Sequence, residues 1–214
     1  GELRQYLSML KNEDSVIEFL RETVEVGAKP KIYDFSNSII FVIANIDEAF
    51  VSTRDMDPDI DADDMHKQSL DITLFDIKNS LRKRFRAEQI ARLGNNYVIY
   101  PTFNSDSYRQ LIDMELKKKS DAVKNKFAID VVFDRSVKKL IYNEGVFPTQ
   151  GTRPVFTTIN YIIGSFIGRV LSDMGMNDLF GRVSSWEWRF HKGKTKVLLK
   201  DADGRKVEEM VYTP

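Results

Sequence analysis

The chain of 214 residues has no cysteine, which excludes a disulfide scaffold, thiolate metal sites and thiol redox chemistry. It has no net charge either: 32 Lys and Arg balance 32 Asp and Glu, so no global field favours nucleic acid or an anionic membrane. The two histidines, His66 and His191, stand far apart and without partners at metal-ligand spacing, so they are expected as exposed or packed side chains. No G-x-S-x-G is present, which removes the nucleophile elbow of a serine hydrolase. A long apolar run is missing too. The longest uncharged stretch, 154–168, has fifteen residues and includes Thr, Asn, Ser and two glycines. Spanning a bilayer takes about 20 mostly apolar residues, so the expectation here is a buried helix, with Gly164 and Gly168 admitting close neighbours. "GELRQYLSML" lacks the basic and apolar regions of a secretory signal, which makes a soluble cytoplasmic protein the default. The chain also starts at Gly and passes straight into a helical pattern, as a piece of a longer protein would.

What is present suits one or two globular domains: 42% of residues are hydrophobic and 30% are charged. Apolar residues recur at helical spacing over 2–26, with a break near "KNED". "SIIFVIAN", 38–45, is a continuous branched apolar run, the pattern of a central strand covered on both faces. An acidic loop, "RDMDPDIDADD", precedes a helical pattern over 68–92 that crowds basic residues into "RKRFRAEQIAR". "NYVIYP" is expected as a second short strand. An amphipathic helix follows from Ser105, capped by Ser105 or Ser107, then a short strand in "FAIDVVFD" and a helix "RSVKKLIYNE" ended by Gly145. The helix over 154–173 leads into three alternating segments, "SSWEWRF", "KVLLKD" and "KVEEMVY", expected as a three-stranded antiparallel sheet. The character of the chain changes at "YPTFN". Residues 1–102 are expected as pieces of a parallel α/β domain and 103–214 as a mostly helical domain closed by the terminal sheet.

Several nucleotide and metal motifs fail on inspection. A P-loop needs G-x-x-x-x-G-K-[ST], whereas Gly193-Lys194-Thr195 has Trp188 at the first glycine position and reads as a hairpin turn. Asp57, Asp59 and Asp61 imitate the start of a calcium loop, but Ala62 and Gln68 occupy the positions where Gly and Glu are required. "FVIANIDE" imitates a Walker B strand ending in Asp47-Glu48, yet Asn45 interrupts the apolar run and no Walker A precedes it.

Arg153 poses a sharper question. It stands in "GVFPTQGTRPVF" immediately before Pro154, which suits a first helical position. A cation at a helix start is disfavoured by the helix dipole, so an approaching anion explains it better than helix stability does.

Three motifs in order resemble the Clp-type AAA+ unfoldases. "YDFSNSIIFVIAN" resembles the Asp-Phe-x-Asn stretch leading into the sensor-1 strand, whose terminal Asn corresponds to Asn45. "FRAEQIARLGNNYVIYPTF" resembles the Phe-Arg-Pro-Glu-x-x-x-Arg segment, whose last arginine corresponds to Arg92. "GVFPTQGTRPV" is similar to Gly-x-x-Pro-x-x-Gly-Ala-Arg-Pro-Leu with the same spacing, placing the sensor-2 arginine at Arg153. The likeness runs over roughly residues 33–212.

The resemblance implies the C-terminal part of an AAA+ P-loop-type large domain over 1–102 and a small lid domain over 103–214. It implies that Asn45 orients the attacking water, that Arg92 serves a neighbouring subunit's site, and that Arg153 contacts nucleotide phosphate. It further implies ATP with Mg²⁺ in the parent protein, a ring of copies, hexameric in the family, and a protein substrate. Membrane and nucleic-acid partners are not expected. With Walker A and Walker B missing, this stretch alone is not expected to hydrolyse ATP or bind it tightly. The chain also departs from the family pattern in having Ile-Ala-Asn for Thr-Ser-Asn, Ala87 for Pro, one added residue after Arg92, and the acidic loop 50–66. Residue chemistry alone leaves two other roles open: an inert interaction module derived from such an ATPase, or a nucleic-acid-acting relative using "RKRFR". It also allows Asn45 as a turn former and Arg92 as surface charge beside Arg82, Lys83, Arg84 and Arg86.

Overall fold

The structure, a computed structural model, describes residues 12–27, 36–39, 41–45 and 60–213. It divides into two units, Gly1–Ala44 and Asn45–Pro214.

In the first unit, helix α1 runs Glu13–Gly27. It begins within "KNED", because the Asn12 side chain accepts from the Ser15 N–H at 2.8 Å. The described part of the 38–45 run carries no strand, and Ile39, Phe41 and Ile43 are 81%, 83% and 95% exposed. A strand is defined by its hydrogen-bonded neighbour, and this run has none among the described residues.

The first described elements of the second unit are three short helices where one helical pattern is read over 68–92: α2 (Ala62–Leu70), α3 (Leu74–Arg82) and α4 (Ala87–Arg92). The acidic stretch is the cause of the early start, since Asp61 caps α2 by accepting from the Asp63 N–H at 2.8 Å. The break before α3 is a capping box, in which Thr73 and Asp76 satisfy each other's backbone N–H groups. "NYVIYP" also differs from expectation: it lies outside any strand, with Val98 and Tyr100 largely exposed and no pairing partner among the described residues.

Helix α5 (Ser105–Phe127) is capped by Asn104, whose side chain accepts from the Ser107 N–H; Ser105 instead lies inside the helix. It ends at Ala128, which adopts a left-handed conformation with φ 57. Strand β1 (Asp130–Phe133), helix α6 (Arg135–Gly145) and a 3₁₀ turn (Pro148–Gln150) follow. The apolar helix is continuous over Arg153–Met176. It consists of α7 (Arg153–Ile159), a π turn (Asn160–Gly164) and α8 (Ser165–Met176). By length and composition it would suit a bilayer, but one face, including Val155, Ile159, Ile163, Val170 and Met174, is buried in the core of this unit.

The terminal sheet has four strands rather than three. To β2 (Ser185–His191), β3 (Lys194–Lys200) and β4 (Lys206–Tyr212) it adds β1, giving the order β1-β2-β3-β4. The first pair is parallel and the other two are antiparallel. Period-2 alternation places Trp186, Trp188, Val197, Leu199, Met210 and Tyr212 on the covered face. The opposite face is laced by Glu187 with Lys200 and Arg189, and by Glu209 with Lys196 and Lys206. Gly193-Lys194-Thr195 falls, as its sequence suggests, at a hairpin: Lys192 and Gly193 form the two-residue turn with φ 49 and 74, the type I′ combination.

Candidate functional site

The glycines and prolines of "GVFPTQGTRP" each meet a distinct backbone demand. Gly145, the last residue of α6, lies against α7: a Cβ there would stand 3.1 Å from the Thr158 Cβ and 3.2 Å from the Val155 Cα. Pro148 is buried and opens the 3₁₀ turn, which closes through the Gln150 N–H to the Phe147 carbonyl at 2.8 Å. Gly151 has φ 71 and ψ −147, a combination open essentially to glycine alone, and it bridges back to Phe147. The Tyr108 hydroxyl of α5 reaches the Gly151 carbonyl at 3.4 Å. Arg153 and Pro154 are then the first two residues of α7. The loop is thus a fixed turn that delivers an arginine to the start of a 24-residue helix.

That helix start is uncapped by any side chain. Thr152 occupies the N-cap position without a side-chain hydrogen bond, and the first turn carries no acidic residue. The Arg153 side chain is exposed and makes no ion pair among the described residues. Arginine and the positive end of the helix dipole together leave a local positive potential, the arrangement that receives an anion.

Helix α2 is tied to the entry of α5. The Ser105 N–H donates to Asp63 Oδ1 at 2.8 Å, and that bond holds the Asp63 carboxyl below its ordinary value. His66 Nδ1 hydrogen-bonds the Thr102 carbonyl, so this histidine is packed, whereas His191 is exposed. The Thr102 N–H donates to Ser69 Oγ at 3.0 Å. These contacts are long in sequence and no residue pattern announced them.

Arg92 lies in the last turn of α4 and is exposed, where the helix dipole favours a cation. Asn45 is exposed and outside any strand. Among the described residues, no hydrogen bond or ion pair joins any two of the Asn45, Arg92 and Arg153 side chains. Asp47, Glu48, Asp57 and Asp59 lie outside the described residues, and Asp61 serves as a helix cap. No group of three or more potential metal ligands occurs among the described residues. The G-x-x-x-G pair is not the close approach: a Cβ on Gly168 would meet nothing within 4 Å, and one on Gly164 would meet only ordinary contacts. The tight position is Gly145, because α6 crosses the start of the long helix there.

The fold of the second unit is mixed α/β, a helical assembly against a four-stranded mixed sheet. Its sequence is similar to that of the chaperone protein ClpB of Clostridium perfringens, at 23% identity over 163 residues. The match covers 74% of this chain but 18% of that protein's length. No protein-family model matches the chain.

Proposed function

We propose that this chain is the C-terminal part of a Clp-like AAA+ ATPase, with residues 1–102 from the large α/β domain and 103–214 forming the lid. The observation that carries this reading is Arg153, presented without an ion pair among the described residues at an uncapped helix start, by a turn whose glycines and prolines each have a structural reason. The similarity to a chaperone supports it. In this account Arg153 contacts the phosphates of ATP·Mg²⁺ held by a phosphate loop outside these residues. Arg92 stabilises charge at a neighbouring copy's site, and Asn45 orients the attacking water. The parent protein assembles as a ring, a hexamer in the family pattern, and acts on protein substrates in the cytoplasm. The exposed side chains Ile39, Phe41, Val42, Ile43, Val98 and Tyr100 also support the reading, because they lie in strand-forming sequences with no strand partner among the described residues.

Substituting Arg153→Ala in the complete gene product is expected to lower ATP affinity by about tenfold, the order of one charge-assisted contact. Unchanged affinity and turnover would remove the sensor role. A catalytically inert interaction module is the second reading, consistent with these 214 residues containing no Walker A sequence. It predicts no nucleotide binding by the complete gene product.

A further inference from the structure

The cleft between α3 and α4 plays no part in that reading. It has a volume of about 320 Å³. Helix α3 contributes Lys78 and Arg82, α4 contributes small and apolar side chains including Ile90, and the turn after it contributes Gly94 and Asn95.

Three features of this cleft suit an anion. Lys78 and Arg82 are four residues apart, so two like charges share one helix face, an arrangement that disfavours the helix. The C-terminal dipole excuses Arg82 in the last turn but not Lys78 in the middle. The lining carries no carboxylate, and among the described residues both cations meet neutral groups: Lys78 Nζ bonds Asn95 Oδ1 at 2.9 Å and lies over the Tyr97 ring, and Arg82 Nη1 bonds Asn79 Oδ1 at 3.2 Å. Several other lysines pair with acids, as in Lys117–Asp121, Lys124–Asp130, Lys138–Asp113 and Lys200–Glu187. Finally, the turn leaves its backbone accessible: Gly94 has φ 75, and a Cβ there would meet nothing within 4 Å.

We infer that this cleft binds a phosphate group, with Lys78 supplying a point charge and Arg82 a planar fork. Two adjacent cations match a dianion, and the volume suits a compact phosphate ester or anhydride rather than a duplex. The same chemistry is offered by a small phosphate compound and by the end of a nucleic-acid strand.

The test is titration of inorganic pyrophosphate into the ¹⁵N-labelled chain, following the Gly94 and Asn95 amides by NMR. Saturable shifts of both are expected. Lys78→Gln/Arg82→Gln is expected to weaken them by about tenfold or more, the two single variants falling between. Arg153→Ala leaves them unchanged, so this site and the proposed nucleotide contact fail or survive separately. A short single-stranded oligonucleotide that displaces pyrophosphate would support the site and name a strand as the source, whereas no displacement would support a small ester. Absence of saturable shifts, or shifts equal in the folded double variant, would overturn the inference. So would binding of a glutamate-rich peptide without binding of pyrophosphate.

Discussion

Gly145 and Gly151 sit six residues apart in one motif and are glycine for different physical reasons. At Gly145 the constraint is space: a methyl would press on the Val155 backbone, which cannot swing aside as a flexible side chain can. Gly145→Ala is therefore expected to destabilise the unit by about 1–3 kcal/mol, the usual cost of overpacking, read as a lower urea midpoint. At Gly151 the constraint is conformation, since nothing stands within 4 Å but φ is positive. Asp134 illustrates the reverse case, a side chain doing what glycine cannot. Its Oδ1 accepts from the Ser136 and Val137 N–H groups at 2.7 and 3.2 Å and starts α6. Asp134→Ala is expected to cost about 1 kcal/mol by the same denaturation measurement. The spacing of Gly145, Pro148, Gly151 and Arg153 was legible in the sequence. The contact of Gly145 with Val155 was not, because ten residues of chain must first turn back on themselves.

At the scale of elements, long amphipathic patterns translated well. Helices α5 and α6 and the alternating segments of β2, β3 and β4 form where their periodicity places them. Legibility ended where an element depends on another. "SIIFVIAN" and "NYVIYP" have strand composition, yet among the described residues neither has a hydrogen-bonding neighbour, and composition cannot supply one. Conversely, β1 is only four residues long and becomes a strand by pairing with β2, Val131 opposite Trp186, a partner more than fifty residues away. The π turn Asn160–Gly164 had no sequence signal. It inserts one residue into the long helix, and Asn160 on it accepts from Lys119 Nζ at 2.8 Å. Ile163, fully buried inside that turn, joins the two helical halves to the core. Ile163→Ala is expected to cost about 2–5 kcal/mol, with the spread set by how far the π turn can collapse into the space.

For the whole molecule, charge balance conceals local arrangements that respond to pH. Hydrogen bonds from Lys200 and Arg189 hold the Glu187 carboxyl below its ordinary value, and those from Lys206 and Lys196 do the same for Glu209. A carboxyl depressed in the folded state stabilises it above the unfolded pKa, and that stability is lost as pH falls through the folded pKa. Acid unfolding is thus expected to begin below the ordinary glutamate value of 4.5, and Glu187→Gln should flatten that limb. Burial and the hydrogen bond to Asp173 raise the Tyr212 phenol well above its ordinary value of 10.0. The protonated phenol is favoured in the folded state, so stability falls as pH rises past 10.0, and Tyr212→Phe should remove that loss in a pH series of thermal melts. Arg153 is the residue on which the proposed nucleotide contact turns. The most direct measurement is fluorescent ATP-analogue binding to the complete gene product, wild type against Arg153→Ala, with thermal melts of both proteins reporting the fold. The account predicts binding by the wild type and about tenfold weaker binding by Arg153→Ala at unchanged melting temperature. Equal affinity in the two proteins, or no nucleotide binding by either, would contradict it.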